Sequence, residues 1–172
     1  PFRFWRIEMT MEIFSRKLDV EDVSGTLKTI NRIGKDTGST IVLFDAAKIA
    51  GKPHIESAVM HAKRSFAEGK NIARTLSMEI LVYASGQRQC SLAPRFGLQA
   101  GENQVYVLIL DGETQRAKDE IRKLVCETEE VSAANETLKK EFDITDEELE
   151  VVGPDRIDEL VLERIAMIDA WR

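Results

Sequence analysis

Apolar positions recur along this chain with two periods, and the switches between them set the expected elements. At the start, Phe2, Phe4, Trp5, Ile7 and Met9 alternate well enough for an N-terminal strand, with Met11–Phe14 as a hairpin partner. Asp19 is placed to cap a helix over 20–33 with Val20, Val23, Leu27 and Ile30 on one face. Gly34 and Gly38 then break the chain. Ile41-Val42-Leu43-Phe44 is a continuous apolar run, the mark of a short strand buried on both faces. Pro53 opens an amphipathic helix in which Ile55, Ala58, Val59, Ala62 and Phe66 recur at helical spacing, and Gly69 ends it. Over 71–85, Ala73, Leu76, Ile80, Leu81 and Ala84 also follow helical spacing, despite the β-prone Ile80–Tyr83. Asn71 is the expected cap of this nearly all-apolar, central helix, and Gly86 its end.

Further on, a short helix disturbed by Pro94 is expected from Gln87, then a buried strand over Val105–Leu110 and a helix over Thr114–Cys126. Residues 128–143 read as loop plus a short helix, and Thr145 with Glu148 forms a capping-box pattern. Pro154 starts a last helix to Trp171, with Ile157, Leu160, Val161, Ile165, Ile168 and Trp171 as its core stripe. Leu162 and Ala166 fall outside that stripe, about 140° and 180° around from Ile157 at 3.6 residues per turn. Few strands and many helices, without strict β-α alternation, predict an α+β fold. The expected architecture is a small, largely antiparallel or mixed sheet packed with several helices, as a single domain over 1–172.

A chain of 172 residues can bury its own core without staples. No apolar run approaches a membrane span, and the start lacks a secretory pattern. Two cysteines, Cys90 and Cys126, without Cys-x-x-Cys spacing, argue against a disulfide framework and a zinc knuckle; they fit small core residues in a reducing cytoplasm. The net charge of −6 is unevenly spread. Residues 48–100 carry eight Lys or Arg and three Asp or Glu, whereas 101–172 carry nine and twenty. Charge alone leaves two readings open: an anion-binding surface on the basic middle, or its internal pairing with the acidic last third.

Sequence motifs of catalysis are missing. The chain has no G-x-x-x-x-G-K phosphate loop, no G-x-G-x-x-G, no H-E-x-x-H and no G-x-S-x-G. His54 and His61 lie seven residues apart on one helix, roughly 10 Å, too far to share one ion directly. On the helix wheel His54, Ser57, His61, Arg64 and Ser65 share one flank, away from the apolar stripe. Imidazoles, hydroxyls and a guanidinium together suit phosphates and unpaired bases; a solvated flank is the plain alternative. The turn Ser85-Gly86-Gln87-Arg88-Gln89 offers an arginine, two amides and backbone N–H groups at a helix start. Glu79, on an otherwise apolar helix, calls for buried partners such as Arg88, Arg74 or backbone donors, the pattern of a structural brace.

The stretch Ser77-Met78-Glu79-Ile80-Leu81-Val82-Tyr83-Ala84-Ser85-Gly86-Gln87-Arg88-Gln89 resembles the signature of the kinase-binding accessory subunit of the KEOPS (EKC) complex, the TPRKB family. His54-Ile55-Glu56-Ser57-Ala58-Val59 with Ala62, and Val161–Ile168, resemble the same family. The resemblance implies a subunit without catalytic residues or cofactor. It implies binding and regulation of the small kinase/ATPase of the complex. It also implies recruitment of tRNA through its 3′ CCA end for threonylcarbamoyladenosine modification. On this reading Lys52, His54, His61, Arg64, Lys70, Arg74, Arg88 and Gln89 form the RNA surface, and Leu162 and Ala166 contact the kinase. A pure protein-interaction regulator of the kinase, without RNA contact, is the alternative, and an enzyme with an unrecognised site is a third.

Overall fold

A computed structural model describes residues 9–87 and 89–170. The expected strand over the first residues, the side chain of Arg88 and the end of the stripe at Trp171 lie outside them. Strand β1 (Met11–Val20) pairs antiparallel with β3 (Gly101–Leu110) over its whole length, from Met11 opposite Leu110 to Val20 opposite Gly101. Strand β2 (Thr40–Asp45) pairs antiparallel on the other side of β3, and the two-residue β4 (Cys126–Glu127) pairs with Arg16 and Lys17. The order is β2-β3-β1-β4.

Helices cover both faces of this sheet, so the strands can be apolar on both sides. Ile41, Leu43, Val105, Val107 and Ile109 point into a cluster with Ile30 and Ile33 of α1 (Val23–Thr37) and Ala117 and Ile121 of α4 (Thr114–Arg122). Val42, Phe44, Tyr106, Leu108 and Leu110 point to the other side. There they meet α2 (Lys52–Ala67), α3 (Leu76–Ser85), α5 (Asn135–Phe142) and α7 (Ile157–Ala170). The short α6 (Asp146–Val152) begins with the expected capping box: Thr145 accepts from the Glu148 amide, and Glu148 accepts from that of Thr145. The α+β expectation, with an antiparallel sheet packed by helices, is met.

Several boundaries move. The helix expected over 20–33 is instead α1, starting at Val23 behind Asp22, because Leu18 and Val20 are buried strand positions paired to β3. Met11–Phe14, expected as a strand, opens the longer β1, and its expected hairpin partner lies outside the described residues. Gly34 does not break α1; it sits buried inside it, where a Cβ would meet the Ser39 carbonyl at 2.8 Å, and the left-handed Gly38 ends the helix. The helix expected to start at Asn71 starts at Leu76, capped by Thr75. Gln87 begins no α-helix; a 3-10 segment runs over Cys90–Phe96. α4 stops at Arg122, and Cys126 falls in β4. Cys126 is exposed and so is no core residue, whereas Cys90 is half-buried and packs against the small cluster of Ala73, Val82 and Ala93.

Candidate functional site

α2 and α3 form an antiparallel pair tied at three levels. At one end the His54 Nε2 lies 2.7 Å from the Ala84 carbonyl. In the middle the His61 ring stacks on Tyr83 at 5.4 Å. At the other end the Ser65 hydroxyl donates to Glu79 at 3.1 Å. Each tie is polar, and each explains a polar residue on a mostly apolar surface.

Glu79 is fully buried in the first turn of α3 and reaches back over its own N-terminus. It accepts from the amides of Ile72 at 3.0 Å and Ala73 at 2.6 Å, which holds the loop between the helices against α3. The brace expected from sequence is therefore built on backbone donors and Ser65. Asn71 serves this loop too, donating to the Ala73 carbonyl rather than capping the helix.

The predicted RNA flank divides. His54 is 1 % exposed and so is no contact residue; this corrects the flank reading. Its Nδ1 accepts the Ala50 N–H at 2.9 Å, which places the proton on Nε2 for donation to Ala84. Burial pushes its pKa down to about 4, so the ring is neutral at ordinary pH. Ser65 is buried as well. His61 is half-buried, with Nδ1 2.6 Å from Asp169 on α7. Tyr83 donates to the same carboxylate at 2.5 Å, so Asp169 gathers α2, α3 and α7.

The remaining residues are exposed at two separate places. Arg64, Lys70 and Arg74 lie around the loop that joins α2 to α3. Lys52 and Gln89 lie at the opposite end of the pair. Ten residues of α3 separate these ends, about 15 Å at 1.5 Å per residue. Two of the amides expected to be free in the turn after α3 are not: the Gly86 N–H donates to the Tyr83 carbonyl and that of Gln87 to the Ser85 hydroxyl. The two readings of the basic segment both have support. Lys48 and Arg95 approach Glu141 at 4.0 and 3.1 Å, and Lys63 pairs with Asp111 at 2.6 Å. Among the described residues, Lys52, Arg64 and Arg74 make no ion pair.

α7 buries Ile157, Leu160, Val161, Ile165 and Ile168, the expected stripe. Ala166 is exposed and Leu162 half-buried on its outer side. Arg164, which the sequence did not single out, fixes the helix by donating to both Glu148 oxygens at 2.8 Å and to the Phe142 carbonyl at 3.2 Å. Its guanidinium holds the Glu148 carboxyl below the usual range.

Residues 19–169 match the family model described as kinase binding protein CGI-121. The chain belongs to this family. No curated protein matches it. The matched region runs from the end of β1 to Asp169, and so contains the α2–α3 pair and the outer face of α7. Among the described residues no three His, Cys, Asp or Glu side chains are grouped to hold a metal ion, and no helix is long and apolar enough to cross a membrane. Tyr83 and Asp169 escaped the sequence reading because one looked like an apolar position and the other like a solvated end.

Proposed function

We propose that this protein is a non-catalytic accessory subunit of a KEOPS-type complex. In this role it binds the small kinase/ATPase through the outer face of α7 and recruits tRNA through its 3′ end for threonylcarbamoyladenosine formation. The observation that carries the reading is the family match over 19–169, the family being described as kinase-binding. An outward Ala166 beside Leu162, on a helix braced by Arg164 and Asp169, supports the kinase contact. Such a face is apolar, held still, and not consumed by the protein's own core.

For RNA, the supporting features are the exposed Lys52, Arg64, Lys70, Arg74 and Gln89 on the α2–α3 pair, with His61 at its margin. An unpaired CCA tail shows base faces and edges that such a surface can take, with cations on the phosphates. His54 supports the surface from within.

Co-purification with the KEOPS kinase tests the first part. Binding of labelled tRNA, with and without its CCA end, tests the second. The Arg64→Glu plus Arg74→Glu variant is expected to weaken tRNA binding about tenfold and to flatten its salt dependence. Kinase binding with unchanged tRNA affinity in that variant, or indifference to loss of CCA, favours the pure kinase regulator.

A further inference from the structure

We infer that His54 is a positioning residue: through the Ala84 carbonyl it fixes the turn over Ser85–Gln87, which leads to one end of the RNA surface proposed above, on which the functional part of this inference rests. The last carbonyls of α3 are satisfied one by one. Val82 accepts from the Ser85 hydroxyl at 2.7 Å, and Tyr83 from the Gly86 amide at 3.1 Å. Both of those donors belong to the turn and move with it. Ala84 accepts from His54, thirty residues away on α2, and this bond pins the turn to a separate element.

The surroundings make the bond directional. Ala50 donates to Nδ1, so the ring must carry its proton on Nε2 and face Ala84 as a donor. Phe142 packs edge-on to His54 with ring centroids 5.4 Å apart, and edge-on to Phe96 at 5.7 Å. Gly86, at φ +66°, rests on that same Phe142 ring, where a Cβ would stand 3.0 Å from it. Among the described residues the turn therefore rests on Phe142 as a floor and is tethered by His54. An apolar side chain would fill the space at lower desolvation cost, but would not set the height or direction of the turn.

Two substitutions separate positioning from packing. In His54→Gln the amide nitrogen takes the place of Nε2 and keeps the donor to Ala84. In His54→Asn the amide oxygen takes the place of Nδ1 and keeps the acceptor for Ala50, while Ala84 loses its donor. Amide hydrogen exchange at Gly86, Gln87 and Gln89 is expected to be about tenfold faster in the Asn variant than in the Gln variant. tRNA affinity should fall several-fold in Asn alone, and kinase binding should be equal in both. Equal exchange and equal tRNA affinity in the two variants overturn the inference. If wild-type protein binds no tRNA, the RNA reading falls, and the exchange rates still decide whether His54 sets the turn. Should the Asn variant not fold, Gln is compared with wild type. Retained tRNA affinity despite a lowered Tm supports positioning, and affinity lost in step with stability overturns it.

Discussion

A buried neutral histidine makes stability depend on pH in a way that can be worked out in advance. Unfolded, His54 titrates near 6.5; folded, burial among α2, α3 and Phe142 brings it to about 4. Between these values the unfolded chain binds a proton that the folded protein refuses, so acid favours unfolding. The contribution is complete above about pH 6.5 and is lost as pH falls toward 4. At pH 5 the unfolded form has gained about 1.5 pH units of proton binding, which costs the folded state about 2 kcal/mol relative to pH 8. All other groups are shared with a His54→Gln variant and cancel in the comparison. Urea denaturation of both proteins at pH 8 and pH 5 gives four stabilities. The drop from pH 8 to pH 5 should be about 2 kcal/mol larger for wild type than for His54→Gln. Equal drops would refute the reasoning, since they would mean that His54 protonates as easily folded as unfolded.

Three further outcomes are expected. Gly112→Ala should destabilise by about 3 kcal/mol or more, because its Cβ would meet Gly38 and Thr37 backbone atoms at 2.4–2.5 Å; Gly69→Ala, also at φ +68° but with open space around it, should cost only about 1 kcal/mol, and Tm comparison separates the two. Glu79→Ala should cost about 3 kcal/mol by stranding the Ile72 and Ala73 amides, with accelerated exchange at those two positions as the check. Leu162→Glu with Ala166→Glu should abolish capture of the kinase while circular dichroism and Tm stay near wild type; unchanged capture rejects α7 as the contact.

Local periodicity was enough wherever one neighbour decides burial. Ile41–Phe44, the α7 stripe and the Thr145 capping box depend on residues within a turn or a strand, so pattern and structure agree. The end of β1 was not legible, because Leu18 and Val20 are strand residues through pairing with β3, more than eighty positions away. The candidate site divided along the same line. Exposure of Arg64, Lys70, Arg74 and Ala166 followed from the helix wheel and loop signals. His54 and Ser65 did not, since a wheel sees one apolar stripe and assumes one covering surface. α2 is covered twice, by α7, where His61 meets Asp169, and by α3 beside His54 and Ser65. Polar side chains can be buried on that second side because α3 brings a carbonyl to one and a carboxylate to the other. The sequence alone determined which residues could form helices, strands and an exposed basic surface. Only the tertiary structure decided which polar residues face a partner within the protein, because a buried polar group is tolerated only where a distant segment supplies its hydrogen bond.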